Sequence, residues 1–103
     1  IWQGKGIGRA EGHAEIRAQF EGFKEAIRFS QHMTMKPVIE VDGLMARGTW
    51  NFFGPFTMEE GSRAMWQACR YHETYRKVNG QWLIAHLKIS GPRMAADYRK
   101  GWA

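Results

Sequence analysis

Two dipeptides constrain this chain more than anything else in it: Asp42-Gly43 and Asn79-Gly80, each set between long β-rich runs. A two-residue hairpin turn of type I′ needs positive φ at both central positions, which Asp, Asn and Gly adopt at little cost. The pattern therefore predicts two antiparallel hairpins. In the first, residues 38–41 lead into the turn and 44–53 return; Gly54-Pro55 breaks the strand, and a loop or short helical turn follows. In the second, residues 64–78 and 81–90 flank the turn, and Gly91-Pro92 stops the strand. Strict two-residue closure then pairs Tyr75 with Ile84, Glu73 with His86 and Tyr71 with Lys88 on one face. Trp66, Ala68, Arg70, His72, Leu83, Leu87 and Ile89 fall on the other.

Before Ser30 the apolar period is different. Ile16, Phe20, Phe23 and Ile27 recur at helical spacing with charged residues between them, which predicts an amphipathic helix from His13 to about Phe29. Residues 1–12 carry Gly4, Gly6 and Gly8 without the basic residues of a phosphate loop, and read as the exit of a strand. The tail, 93–103, reads as a short helix or disorder. The sum is α+β: one helix on at least four antiparallel strands. One helix cannot cover so long a sheet, so part of an apolar face must be covered by upstream helices or a second subunit. Ile rather than Met at position 1 leads to the same expectation, that residues precede it.

Composition narrows the function classes. With 103 residues, 44% hydrophobic and 14% aromatic, the chain supports one domain and one core. No apolar run approaches the roughly 20 residues that cross a bilayer. The single cysteine, Cys69, offers neither an internal disulfide nor a multi-thiolate metal site, and a reducing cytoplasm suits it. The net charge of +5 is scattered rather than gathered into a basic tract, so a nucleic-acid partner is not expected. The four histidines show no metal-ligand spacing, and no metal is expected.

The order of several short segments resembles the SnoaL-like branch of the nuclear-transport-factor-2-like superfamily. They are residues 12–16 opening the helix, 32–43 (HMTMKPVIEVDG), Ala46 and Trp50 on the return strand, 71–75 (YHETY) and 79–84 (NGQWLI). The resemblance implies a cone-shaped, cystatin-like curved antiparallel sheet packed on helix, with 1–103 a single domain truncated at its N-terminus. It implies a pocket for a small apolar or polycyclic ligand, no cofactor, and a homodimer formed through the opposite face of the sheet. Relatives of this shape include scytalone dehydratase, hexachlorocyclohexane dehydrochlorinase, ketosteroid isomerase and polyketide cyclases, which share proton abstraction beside an activating group. A ligand-binding or dimerisation module without turnover is the alternative.

In the dehydratase-type members a histidine matching His32 pairs with an Asp of the first helix, and that segment would lie before residue 1. Where the family has Asn-Pro, this chain has Lys36-Pro37. His32 is the candidate catalytic acid–base, since an imidazole exchanges protons near neutral pH. Trp50, Phe52, Tyr71, Glu73, His86 and Lys88 are the candidate pocket residues. Glu73 and His86 read as a cross-strand pair, and Lys88 as a cation for an anionic or leaving group. Counting by twos from the first turn puts His32 with Lys36, Val38 and Glu40, away from Ile39 and Val41. Pro37 lacks a donor, so a bulge at Lys36-Pro37 is expected, and it would reverse that parity.

Overall fold

Seven strands and one α-helix are found among residues 1–97, the part of the chain that the computed structural model describes. They run β1 (Trp2–Gly4), β2 (Gly8–Ala10), α1 (Gly12–Ala26), β3 (Ile27–Ser30), β4 (Met33–Asp42), β5 (Met45–Met58), β6 (Arg63–Val78) and β7 (Gln81–Asp97). A single 3-10 turn, Glu60–Ser62, joins β5 to β6. All seven strands form one curled sheet in the order β2-β1-β7-β6-β5, with β3 and β4 both on the far side of β5. The chain is α+β, as the sequence pattern predicts.

Both predicted hairpins form. Asn79 and Gly80 have φ of 51° and 79°, the two positive values expected of the second turn. The first turn is displaced by one residue: Asp42 pairs with Met45, and of the central pair Gly43-Leu44 only Gly43 is left-handed, at φ 59°. The anticipated bulge is present. Met35 faces Asn51 and Val38 faces Thr49, so Lys36 and Pro37 together oppose Trp50, and Lys36 sits at φ 53°.

Both Gly-Pro stops are overridden. β5 continues through Gly54-Pro55 to Met58 because its neighbour on that side is interrupted at the same level. β3 ends at Ser30 and β4 begins at Met33, so the missing Pro55 donor faces a break in the ladder, where the Pro55 carbonyl accepts from Gln31 N at 3.1 Å. The Gln31 carbonyl comes so near that a Cβ on Gly54 would lie 2.2 Å from it. Likewise β7 runs past Gly91-Pro92 to Asp97, with a register shift between its pairings to Ala68 and Arg70. Residues 93–97 are therefore strand rather than helix, and the rest of the predicted tail lies outside the described residues.

Two further expectations are corrected. The helix stops at Ala26, and Ile27 pairs with Met58 instead of extending the apolar stripe, because pairing with β5 outweighs the local helical period. The sheet is mixed rather than antiparallel: β1 lies parallel to β7, with Trp2 beside Leu87, a pairing across almost the whole chain that no turn signal encodes. β1 folds back onto β2.

The core sits where α1 crosses the sheet. Trp2, Phe52, Cys69 and Ile89 are buried, with Ile7, Ile16, Phe23, Tyr71 and Leu87 packed against them. Trp2, Phe20 and Phe23 meet edge to face at 5.5–5.9 Å. α1 covers only part of this face. Toward the hairpin ends Ile39 and Val41 are 49% and 65% exposed.

Candidate functional site

The register of β5 on β6 defines the two faces of the sheet. Trp50 lies opposite Tyr71, Phe52 opposite Cys69 and Gly48 opposite Glu73, and directly opposed residues share a face. That face is the one α1 packs on. Phe52 and Tyr71 stack with centroids 5.2 Å apart, and the His32 ring meets Phe52 edge-on at 5.0 Å. The bulge at Lys36-Pro37 is what brings this about. It puts Thr34, opposite Phe52, on the same face as Ile39, opposite Gly48, and Val41, opposite Ala46. His32 itself lies in the break between β3 and β4, is exposed, and has no hydrogen-bond partner among the described residues.

Beside the aromatic wall runs a polar chain. Trp50 Nε1 donates to Tyr75 Oη at 2.9 Å, and the Tyr75 hydroxyl donates to Glu73 Oε2. Gly48 makes room for it, since a Cβ there would come within 2.9 Å of Tyr75 Oη and 3.3 Å of Ile39 Cγ1. Burial, followed by the hydrogen bond to Glu73, raises the Tyr75 pKa. Tyr71 is held further above the ordinary tyrosine range, first by burial and then by the negative charge that Cys69 and Glu73 carry when ionised. Both phenols are thus fixed as neutral groups near pH 7, able to donate hydrogen bonds.

His86 and Lys88 lie on the other face. Tyr75 pairs with Ile84 as strict closure predicts, but the next register step skips Ala85, so Thr74 faces His86, Glu73 faces Leu87 and Tyr71 faces Ile89. The expected Glu73–His86 and Tyr71–Lys88 pairs are corrected by this one-residue bulge, which also turns Leu87 and Ile89 toward the core. His86 Nε2 instead lies 3.1 Å from Gln3 Oε1. An open groove of about 330 Å³ on this face is lined by Arg47, His72, His86 and Lys88 among others, and a second hollow lies by the β1–β2 turn. His32 lines neither of these.

A family model for the SnoaL-like domain matches residues 2–88, most of the chain. This chain belongs to the SnoaL-like family. Among solved structures, the SnoaL-like chain superposes on a type 2 hexachlorocyclohexane dehydrochlorinase, LinA, with a TM-score of 0.81 at 17% identity, covering 92% of this chain and 66% of that one. A nuclear transport factor 2-like superfamily protein from Salmonella enterica gives 0.80 at 20% identity, covering 88% and 66%. A protein from Novosphingobium aromaticivorans provisionally assigned as a scytalone dehydratase gives 0.74 at 21%, covering 86% and 60%. The chain thus spans just under two thirds of the length of these structures. No curated protein matches it in sequence. The superpositions place the SnoaL-like chain in the nuclear-transport-factor-2-like fold.

Of the residues singled out in the sequence, the SnoaL-like fold gathers His32, Trp50, Phe52, Tyr71 and Glu73 on the helix face and sends His86 and Lys88 to the opposite one. Tyr75 is the member of the polar chain that the sequence reading left out of the site. Its alternation with Tyr71 and Glu73 in YHETY was the available signal, since residues two apart on a strand share a face.

Proposed function

We propose that the helix face lines a pocket for a small apolar or polycyclic molecule, with His32 as the acid–base residue of a cofactor-free lyase or isomerase reaction. The single observation that carries this reading is the His32 ring set against Phe52 at the end of the Phe52–Tyr71 stack. A flat apolar molecule laid on that wall presents an edge to the imidazole, which accepts a proton from carbon beside an activating group. Loss of a leaving group from the adjacent carbon makes the outcome an elimination; return of the proton elsewhere makes it an isomerisation. The chain Trp50–Tyr75–Glu73 supplies the polar end, Glu73 holding the Tyr75 hydroxyl in one orientation. Structural relatives named as a dehydrochlorinase and a dehydratase favour elimination.

A second reading, a binding module without turnover, is favoured by the exposure of His32 in the break between β3 and β4. One pair of probes separates them. Under the first reading 2-naphthol shifts the NMR signals of Phe52, Tyr71 and His32. In D2O the chain also exchanges the α-hydrogens of 2-tetralone, and His32→Gln slows this by about a hundredfold. Binding without exchange assigns the binding module, and absence of both overturns the pocket itself.

A further inference from the structure

The segment YHETY sets Tyr71, Glu73 and Tyr75 on the helix face of β6, and their polar atoms are not equally occupied. Tyr75 Oη accepts from Trp50 and donates to Glu73 Oε2, so its one proton is already engaged. Glu73 Oε1 and the Tyr71 hydroxyl have no hydrogen-bond partner among the described residues. Across the ladders Glu73 lies between Gly48 and Leu87, neither of which carries charge, while Arg47, His72, His86 and Lys88 stand on the opposite face.

The Tyr71 oxygen is nevertheless within reach. Among the described residues no enclosed side-chain oxygen lacks a hydrogen bond, so half-buried Tyr71 presents its hydroxyl to open space. The stack on Phe52 holds its ring in place. Burial chiefly, then the charges of Cys69 and Glu73, keep that phenol protonated, which puts Glu73 close by without a bond between the two. Positions two apart on a strand lie roughly 7 Å from each other. One oxygen that makes two hydrogen bonds of about 2.8 Å fits between such neighbours. Resting on the reading that this face lines the pocket, we infer that Tyr71 and Glu73 together seat a hydroxyl group of the ligand, Tyr71 donating to its oxygen and Glu73 Oε1 accepting from its O–H. A ketone or an ether cannot donate, an ammonium cannot accept, and a hydrocarbon or halocarbon does neither. The substrate class is then a hydroxylated polycycle, with the His32 imidazole at the other end of the Phe52–Tyr71 stack.

The test compares 2-naphthol with 2-methoxynaphthalene, which keeps the acceptor oxygen and loses the donor. Each is titrated into the protein near neutral pH and read on the ring signals of Phe52 and His32. The parent binds 2-naphthol at least about tenfold more tightly, as a hydrogen bond to a carboxylate implies. Glu73→Gln reduces that preference to about twofold by weakening the hydroxyl compound. Tyr71→Phe weakens both compounds about fivefold, since each loses the same donor. The inference is overturned if the parent binds the two compounds equally, or if Tyr71→Phe binds both as the parent does. It is equally overturned if Glu73→Gln weakens both to the same extent, which is the mark of a structural carboxylate. In all of these outcomes the compounds still bind and the pocket stands; if neither moves the Phe52 and His32 signals, the pocket reading falls together with the inference.

Discussion

The two faces of this sheet are built from the same three strands and have opposite chemistry. On the helix face the side chains of β5 and β6 are aromatic and mutually satisfied: Phe52 on Tyr71, Trp50 to Tyr75, Tyr75 to Glu73. On the open face, one residue out of step along each strand, stand Arg47, His72, His86 and Lys88. Sequence adjacency therefore says nothing about shared chemistry here. His72 and Glu73 are neighbours in the chain and belong to different surfaces. Buried packing is concentrated on the first face and charged side chains on the second.

Substitutions that test this contrast differ in size. Phe52→Ala removes a side chain that is 6% exposed, together with the Tyr71 stack and the His32 contact; unfolding in urea shows a loss of about 3–4 kcal/mol, typical of a buried phenylalanine. A cost under 1 kcal/mol would dissolve the contrast. Gly54→Ala comes next. Its Cβ meets the Gln31 carbonyl oxygen at 2.2 Å, so the break between β3 and β4 must move, at about 2 kcal/mol by denaturation. The contact between the rings of His32 and Phe52, read as a nuclear Overhauser effect, weakens with it.

A smaller, pH-gated effect belongs to Tyr71. Folding raises its pKa, so the native state holds the phenolic proton more firmly than the unfolded chain does. The associated stability is fully present below about pH 10, the unfolded value, and is lost as pH rises above it. Tyr71→Phe flattens that alkaline decline in a series of melts, whereas an unchanged slope would remove Tyr71 from the buried wall. Tyr75 acts in the same sense. Least of all is Glu40→Gln on the open face, where both partners of the Arg47 pair are largely exposed. Thermal melts move by no more than about 0.5 kcal/mol equivalent. A larger loss would show that charge on the open face carries stability as well.

How much of this was legible in the residues depends on the range of the interaction. Asn79-Gly80 predicts its turn because the required φ values are a property of those two residues. The bulge at Lys36-Pro37 was legible for a similar reason, a proline without a donor set within an alternating strand, and it puts the strand beside His32 in register with the helix face. The bulge at Ala85 has no such marker. Alanine suits any strand position, and counting by twos then misplaced every residue from His86 to Ile89. The Gly54-Pro55 stop misled in the other direction, because a proline ends a strand only when a neighbour needs its N–H, and the break between β3 and β4 removes that need.

The residues alone determined the α1 stripe, the two hairpins, the mixture of one helix with a long sheet, and the family text running from His32 to Ile84, since each rests on local backbone preference or on order along the chain. Tertiary structure decided the parallel seat of β1 on β7, the end of α1 at Ala26, and the division of the candidate site between two faces. Those are settled by competition among distant strands for the same hydrogen bonds and the same buried area, and a single unpaired residue in a ladder is enough to reverse every side chain beyond it.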